Sequence, residues 1–344
     1  MLSGCRSNPD SRFTTPVVFP LFVAALFTLA PTVLQSVDAI PAHIAGRFRD
    51  ATGFQQSAFG QYFVFDRRSH VVFGIDEDKS SAREIVHIGG EPGRLLDPTA
   101  FAVSPDGTFA VADAPEGRER IQIFTSAGFR SAGFTLPVRS APRVVFENYV
   151  MNGIGSLQFT GRSVLLSQPE VGSLVTEYAL DGSTMRTVGR LRHTGHEDDP
   201  QLHLALNSGL PLPDGDGGLW FVFQTGEPLL RKYDRDGTLL FERHVEGREI
   251  DQILASLPTR WPARRSESGE YPIVTPTIRA AAVDRRGAVW ISLLGPYTYV
   301  FDRDGDKTRV VQFRAAGLVS PNSLFFGPHG RLLTTPGLNE FAVE

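Results

Sequence analysis

A chain of 344 residues with 41% hydrophobic side chains can bury a large core, and its formal charge of −4 excludes the basic field that nucleic-acid binding requires. The single cysteine, Cys5, excludes an intramolecular disulfide. No Walker loop, GxSxG elbow, HExxH helix or paired CxxC occurs, which removes the strongest local signals for the commonest site chemistries.

The first residues read as a targeting segment. Arg6 and Arg12 precede an apolar run from Pro16 to Ala30, and Val37-Asp38-Ala39 places small or apolar residues at −3 and −1 of a cut after Ala39. This predicts a signal peptide over 1–39 and a secreted or periplasmic protein. The apolar run falls short of the roughly 20 residues a bilayer span needs. An uncleaved leader would be the chain's one membrane contact.

One unit then recurs, and its clearest copy runs from Pro98 to Pro137. Four short strands are predicted there, Ala100–Val103, Phe109–Ala112, Ile121–Phe124 and Phe129–Phe134, each β-branched or aromatic and bounded by turn residues. Turn glycines carry the repeat, because a tight hairpin needs positive φ at a fixed place. The first turn recurs at Gly60, Gly107, Gly161, Gly218, Gly287 and Gly330, and the second at Gly128, Gly182, Gly237 and Gly305. The first copy has Asp76-Glu77-Asp78-Lys79 at its second turn, without glycine.

Six such units predict an all-β fold, a six-bladed β-propeller of four-stranded antiparallel blades. The blades fall at about 51–90, 98–137, 152–192, 204–247, 277–315 and 321–344, in one domain over 40–344. The sixth unit has residues for three strands only. An N-terminal strand from around Pro41–Phe48 is expected to complete it and close the ring.

The run IGGEPGRLLDPTAFAVSPDGTFAVADAPEGRERIQIF, Ile88 to Phe124, resembles the NHL repeat. It has the G-x-x-G-x-x-x-x-P lead-in, the DG turn, the V-A-D strand end and an R-I-Q strand. The resemblance is to bacterial NHL-repeat six-bladed propellers, and it implies binding scaffolds and, less often, lyases and lactone hydrolases.

Three long connections depart from the repeat: Val138–Met151, Leu191–Leu206 and Val245–Pro276. All join the outer strand of one unit to the inner strand of the next, so all belong to one face, the place where repeat proteins put binding surfaces. In the third, Ile250, Ile253, Leu254 and Leu257 follow helical spacing up to Pro258, predicting a short lid helix near 249–257. Arg260, Trp261 and Arg264 behind it would clamp an anionic or sugar-like ligand. A plainer reading has the helix cap an apolar gap between blades.

The second connection gathers His193, His196, Glu197, Asp198, Asp199 and His203. Glu197, Asp198 and His196, with Asn207, are candidate ligands for Zn²⁺ or Ca²⁺, and the histidines are candidate acids and bases. The plainer reading is a solvent-facing loop with a turn at Asp198-Asp199-Pro200. Asn152, Asn207, Thr277 and Asn322 stand where inner strands begin and would point to the channel mouth. Asp302-Arg303-Asp304-Gly305-Asp306 fits a hairpin turn better than a calcium loop, since the later glutamate is missing.

The function these features favour is an exported monomeric binding scaffold, its partner a small polar ligand or an envelope protein on the face with the long connections. The alternative is a metal-dependent hydrolase or lyase similar to the gluconolactonase or amidating-lyase propellers. There Asn152, Asn207 and Glu197 or Asp198 would hold the ion, and a histidine of 193–203 would carry the proton.

Overall fold

The structure, a computed structural model, describes Met1, residues 30–137, 144–146, 149–151, 156–266 and 269–343. At 116, 144–146, 149–151, 264, 266 and 269–271 it describes the backbone alone. Asn152, one of the candidate ligand-binding residues, lies outside the described residues. The chain divides into Met1–Ala30 and Pro31–Glu344, and the second unit holds every strand described below.

Two elements precede the repeats, a strand β1 (Thr32–Ala39) and a one-turn helix α1 (Ala42–Ala45). The first antiparallel sheet is β2 (Ala51–Gln56), β3 (Tyr62–Asp66), β4 (Val71–Ile75) and β5 (Ala82–Val86). The second is β6 (Ala100–Val103), β7 (Phe109–Asp113), β8 (Arg120–Phe124) and β9 (Arg130–Thr135). A paired β10 (Val144–Phe146) and β11 (Tyr149–Met151) intervene. The third sheet is β12 (Leu157–Phe159), β13 (Ser163–Ser167), β14 (Val175–Ala179) and β15 (Thr184–Val188). After helix α2 (Pro200–Leu206) comes the fourth, β16 (Gly209–Pro213), β17 (Leu219–Phe223), β18 (Leu229–Tyr233) and β19 (Leu239–His244). Helix α3 (Arg248–Ala255) and the pair β20 (Ala263–Ser266) and β21 (Gly269–Pro272) follow. The remaining strands are β22 (Ile278–Val283), β23 (Val289–Leu293), β24 (Thr298–Phe301), β25 (Lys307–Arg314), β26 (Ser323–Phe326), β27 (Arg331–Thr335) and β28 (Asn339–Ala342).

Strands β3, β7, β17 and β23 are buried along their whole length, whereas β9 and β19 are largely exposed. Continuous apolar runs such as FVF, FAVA and LWFVF suit strands covered on both faces. The covering comes from neighbouring sheets. Phe65 of β3 stacks on Phe101 of β6 at 5.4 Å, and a core of Phe63, Val72, Phe109 and Phe124 fills the space between the first two sheets. The first strands touch cyclically: β2 meets β6 and β26, β12 meets β6 and β16, and β22 meets β16 and β26. They enclose a channel.

The repeat glycines behave as the hairpins require, with one correction. In the fourth unit Gly217, not Gly218, takes the left-handed conformation at φ +86°, because the turn closes on Asp214 through the Gly217 amide at 3.0 Å. In the first unit Lys79 occupies the missing second-turn glycine position, at φ +55°.

The motif residues of the second unit explain their own spacing. Arg120 donates to both oxygens of buried Asp113 at 2.8 Å and to the Gly90 carbonyl at 2.9 Å. Gln122 accepts from the Gly93 amide at 2.8 Å and donates to the Arg94 carbonyl at 2.7 Å. Lead-in, strand end and third strand are thereby tied together.

The N-terminal strand lies earlier than expected. Thr32–Gln35 pair parallel with β25, and Ser36–Ala39 pair antiparallel with β28, so β1 joins the last seven repeat strands into one eight-stranded sheet. Around Pro41–Phe48 the chain forms α1 instead, whose Ile44, with Ile40, packs between β2–β5 and the last three strands. A boundary after Ala39 would cut β1 from the sheet it joins.

Candidate functional site

The inner strands begin where the long connections end, and their first residues line a cavity of about 180 Å³ at that end of the channel. Thr52, Thr99, Ser156, Gln158, Gln224 and Asn322 supply neutral hydrogen-bonding groups, and Phe65, Phe101, Leu157 and Leu324 supply apolar wall. Arg67 and Arg279 add two guanidiniums. Gln55, Gln158, Ala281 and Leu324 are shared with a second cavity of about 460 Å³ deeper in the channel, which Arg285 also lines.

Each arginine is positioned by the fold. Arg279 is the second residue of β22, and its Nη1 donates to Asn322 Oδ1 at 2.6 Å. Arg67 follows β3, and its Nη2 donates to Asp50 Oδ2 at 3.3 Å. Among the described residues neither cavity has an aspartate or glutamate in its lining. These arginines are absent from the sequence-derived candidates. The available signal was a lone cation inside the otherwise apolar IRAAAV.

Of the residues expected at the mouth, Asn322 lines the cavity. Asn207 does not. It is fully buried, its Oδ1 accepts from the Arg192 amide at 2.8 Å, and its Nδ2 donates to the His203 carbonyl at 3.0 Å. Thr277 is also fully buried, with its hydroxyl on the Gln224 carbonyl at 3.3 Å. Asn207 closes its own connection, whereas Thr277 ties the start of β22 to the residue that follows β17.

The histidine loop is organised internally. Glu197 Oε1 accepts from the Thr194 amide at 2.8 Å and the Gly195 amide at 3.3 Å, and these amides hold its carboxyl down at about 2. His193 Nδ1 lies 3.5 Å and His203 Nδ1 3.9 Å from that same oxygen, while His203 Nδ1 also meets Thr194 Oγ1 at 2.8 Å. Asp198 is exposed, and Asp199 caps α2 by accepting from the Leu202 amide at 3.1 Å, with Pro200 at the first helical position. Among the described residues no three His, Cys, Asp or Glu side chains are grouped as a metal would need. The donor set expected for Zn²⁺ or Ca²⁺ does not fit: its best carboxylate is committed to backbone amides, and Asn207 is committed to its loop.

His193 and His196 instead line a separate groove of about 560 Å³ with Trp261, Arg231 and His244. Trp261 also packs on Leu202, Leu206 and Val274. Arg260 is exposed and lines none of these cavities, and the Arg264 side chain lies outside the described residues. The predicted clamp is therefore not seen as a unit. The helix near 249–257 is a cap, not a lid. Ile250 of α3 is buried in the core between the fourth sheet and β22–β25, with Ile253 and Leu254 against it, and Glu249 accepts from the Tyr299 hydroxyl. No α3 residue lines the channel cavities described.

Comparison of the sequence with protein-family models and with curated proteins gives no match. Among solved structures, a streptogramin B lyase superposes with a TM-score of 0.53 at 12% identity, over 88% of this chain and 95% of that one. A gluconolactonase from Xanthomonas campestris superposes with a TM-score of 0.50 at 16% identity, over 92% of this chain and 98% of that one. At such identities the likeness shows the fold alone, and the fold is a β-propeller.

Proposed function

We propose that this chain is an exported, six-bladed, NHL-type β-propeller that binds a small polar ligand at the channel mouth and carries no chemistry of its own. The observation behind it is the mouth itself, a cavity whose described lining offers hydrogen-bond donors and acceptors around an apolar wall without an acid or base pair. Six blades are supported by the cyclic contacts of the six inner strands, and NHL kinship by the Asp113, Arg120 and Gln122 network. The gluconolactonase and lyase likenesses favour a metal-dependent enzyme as the second reading, but that reading needs carboxylates where the described lining has none.

The test is a small-molecule thermal-shift screen on the wild type and on Gln158→Trp, which fills the channel where its two cavities meet. The expected result is a set of stabilising compounds whose effect disappears in the variant. Compounds acting equally on both proteins would refute the channel as the site. Export is tested by the intact mass of the chain recovered outside the cytoplasm. With β1 part of the sheet, processing belongs ahead of Thr32, and a mature chain beginning at Ile40 would contradict that.

A further inference from the structure

Two of the long connections enclose a space apart from the channel. Among the described residues, none of 191–206 or 245–276 lines either channel cavity, yet His193, His196, Leu257 and Trp261 wall the groove of about 560 Å³. The outer edge of the fourth sheet completes it. Leu229 and Arg231 of β18 stand directly opposite His244 and Glu242 of β19, so all four side chains share one face of the sheet and all four line the groove. Such a volume is usual for a small-molecule site.

The lining combines one aromatic surface with paired charges. Trp261 packs on Leu202, Leu206 and Val274 and remains partly exposed, so its indole offers a rigid apolar face at little cost in conformational entropy. Arg231 Nε donates to Glu242 Oε2 at 2.5 Å, and His244 Nδ1 lies 3.0 Å from Glu227 Oε1. Arg192 is bonded to three backbone carbonyls. Two guanidiniums thus face two carboxylates in the lining, a balance that draws in neither anions nor cations. A carboxylate has about four acceptor positions, so Glu227 and Glu242 keep room for hydroxyl donors after meeting their partners.

We infer that this groove is a second binding site, for a neutral saccharide, with a sugar ring against the Trp261 indole and hydroxyls on the Glu227–His244 and Arg231–Glu242 pairs. A sugar ring fits this pattern because its C–H faces are apolar while its hydroxyls both donate and accept. A purely apolar ligand would strip water from Glu227 and Glu242 with nothing in return, and a charged one would compete with the existing pairs. The site stands independently of the channel mouth, since the groove and the channel cavities share no lining residue.

Calorimetric titration of the full chain tests it with glucose, N-acetylglucosamine, cellobiose and maltose as neutral saccharides, and with glucuronate and glucosamine as charged ones. Saturable binding of at least one neutral saccharide is expected, together with a shift of indole emission, which reports Trp261 because Trp220 and Trp290 are fully buried. Trp261→Ala should weaken that binding at least about tenfold. Because Trp261 also packs on α2, Glu227→Ala at an exposed position is the second variant, and it should weaken binding about tenfold. Gln158→Trp, which fills the channel, should leave calorimetric binding unchanged. Binding lost in Gln158→Trp but kept in Trp261→Ala and Glu227→Ala would put the saccharide in the channel and overturn the groove. Binding of glucuronate or glucosamine with no neutral saccharide would overturn the neutral class. Binding without a shift of indole emission would overturn the contact with Trp261, and binding by no probe would overturn the saccharide reading altogether.

Discussion

Lys79 Nζ lies 2.7 Å from Asp38 Oδ2, linking the second turn of the first unit to the N-terminal strand β1. The same ammonium pairs with buried Glu340 of β28, which also accepts from the Tyr62 hydroxyl at 2.9 Å. Burial, and then the Glu340 carboxylate, push the Tyr62 hydroxyl well above the usual tyrosine range. The one repeat that lacks its second-turn glycine thus carries a residue that fastens the ring closure.

Lys79→Gly should expose this exchange. It removes the strain of a left-handed lysine, worth about 1–2 kcal/mol, but strips Glu340 of its cation, and losing one partner of a buried pair costs about 3–5 kcal/mol. The expected net loss is about 1–4 kcal/mol by urea denaturation at pH 7, partly restored when Glu340→Gln is added. A variant as stable as the wild type would show that the pair does not hold the closure.

Asp38 gives a pH signature. Burial opposes its ionisation, but the Lys79 ammonium, the Ala39 amide and Arg331 outweigh it, so its carboxyl titrates below the ordinary aspartate value of 3.8. A depressed carboxyl contributes stability that is present above 3.8 and lost as pH falls through the folded value. Because the side chain is 58% exposed, the contribution is small. Urea midpoints of wild type and Asp38→Asn should differ at pH 5 and converge toward pH 2. A constant gap would assign the difference to something other than this charge.

Gly128 and Gly172 share nearly the same backbone, at φ +87° and +85°, and differ in space. A Cβ on Gly128 would lie 2.0 Å from the Ile85 carbonyl oxygen of the preceding unit, whereas nothing lies within 4 Å of one on Gly172. Gly172→Ala should cost about 1–2 kcal/mol from conformation alone. Gly128→Ala should cost clearly more, because Ile85 backbone must move, and paired thermal melts measure the difference. Equal losses would mean that the units are packed less tightly there than the contact implies.

These glycines also show why the scaffold was legible. Positive φ demands glycine whatever the surroundings, so the turns wrote themselves into the sequence, as did the apolar runs of strands covered on both faces. The closing strand did not, because VLQSVDA breaks strict polar–apolar alternation at Val33-Leu34 and Gln35-Ser36 and equally fits the flank of a leader. The site was harder still. Asn207, Thr277 and Asn322 look alike at strand starts, and only packing decides that Asn207 bonds its own connection, that Thr277 bonds the Gln224 carbonyl beside the fourth sheet, and that Asn322 faces the channel. Arg279 was readable from its apolar context, whereas Arg67 beside Arg68 was one of two equivalent choices.

Arg192 supports the long connection that carries α2. It is buried, lies 4.2 Å over the Phe223 ring, and donates to the carbonyls of Glu227 at 2.6 Å, Leu206 at 2.8 Å and Thr225 at 2.5 Å. Burial draws its guanidinium down to about 10, so it stays charged at neutral pH while bonding to backbone oxygens. A lysine keeps the charge but has a single nitrogen, which cannot span three carbonyls held by the fork. Arg192→Lys should therefore cost about 2–3 kcal/mol, with at least one buried carbonyl left unpaired. Hydrogen exchange localises the loss: amides of Leu202 to Asn207 should exchange faster, while those of β7 and β8, two sheets away, should not. Uniform acceleration across both regions would mean that Arg192 supports the whole ring rather than this connection.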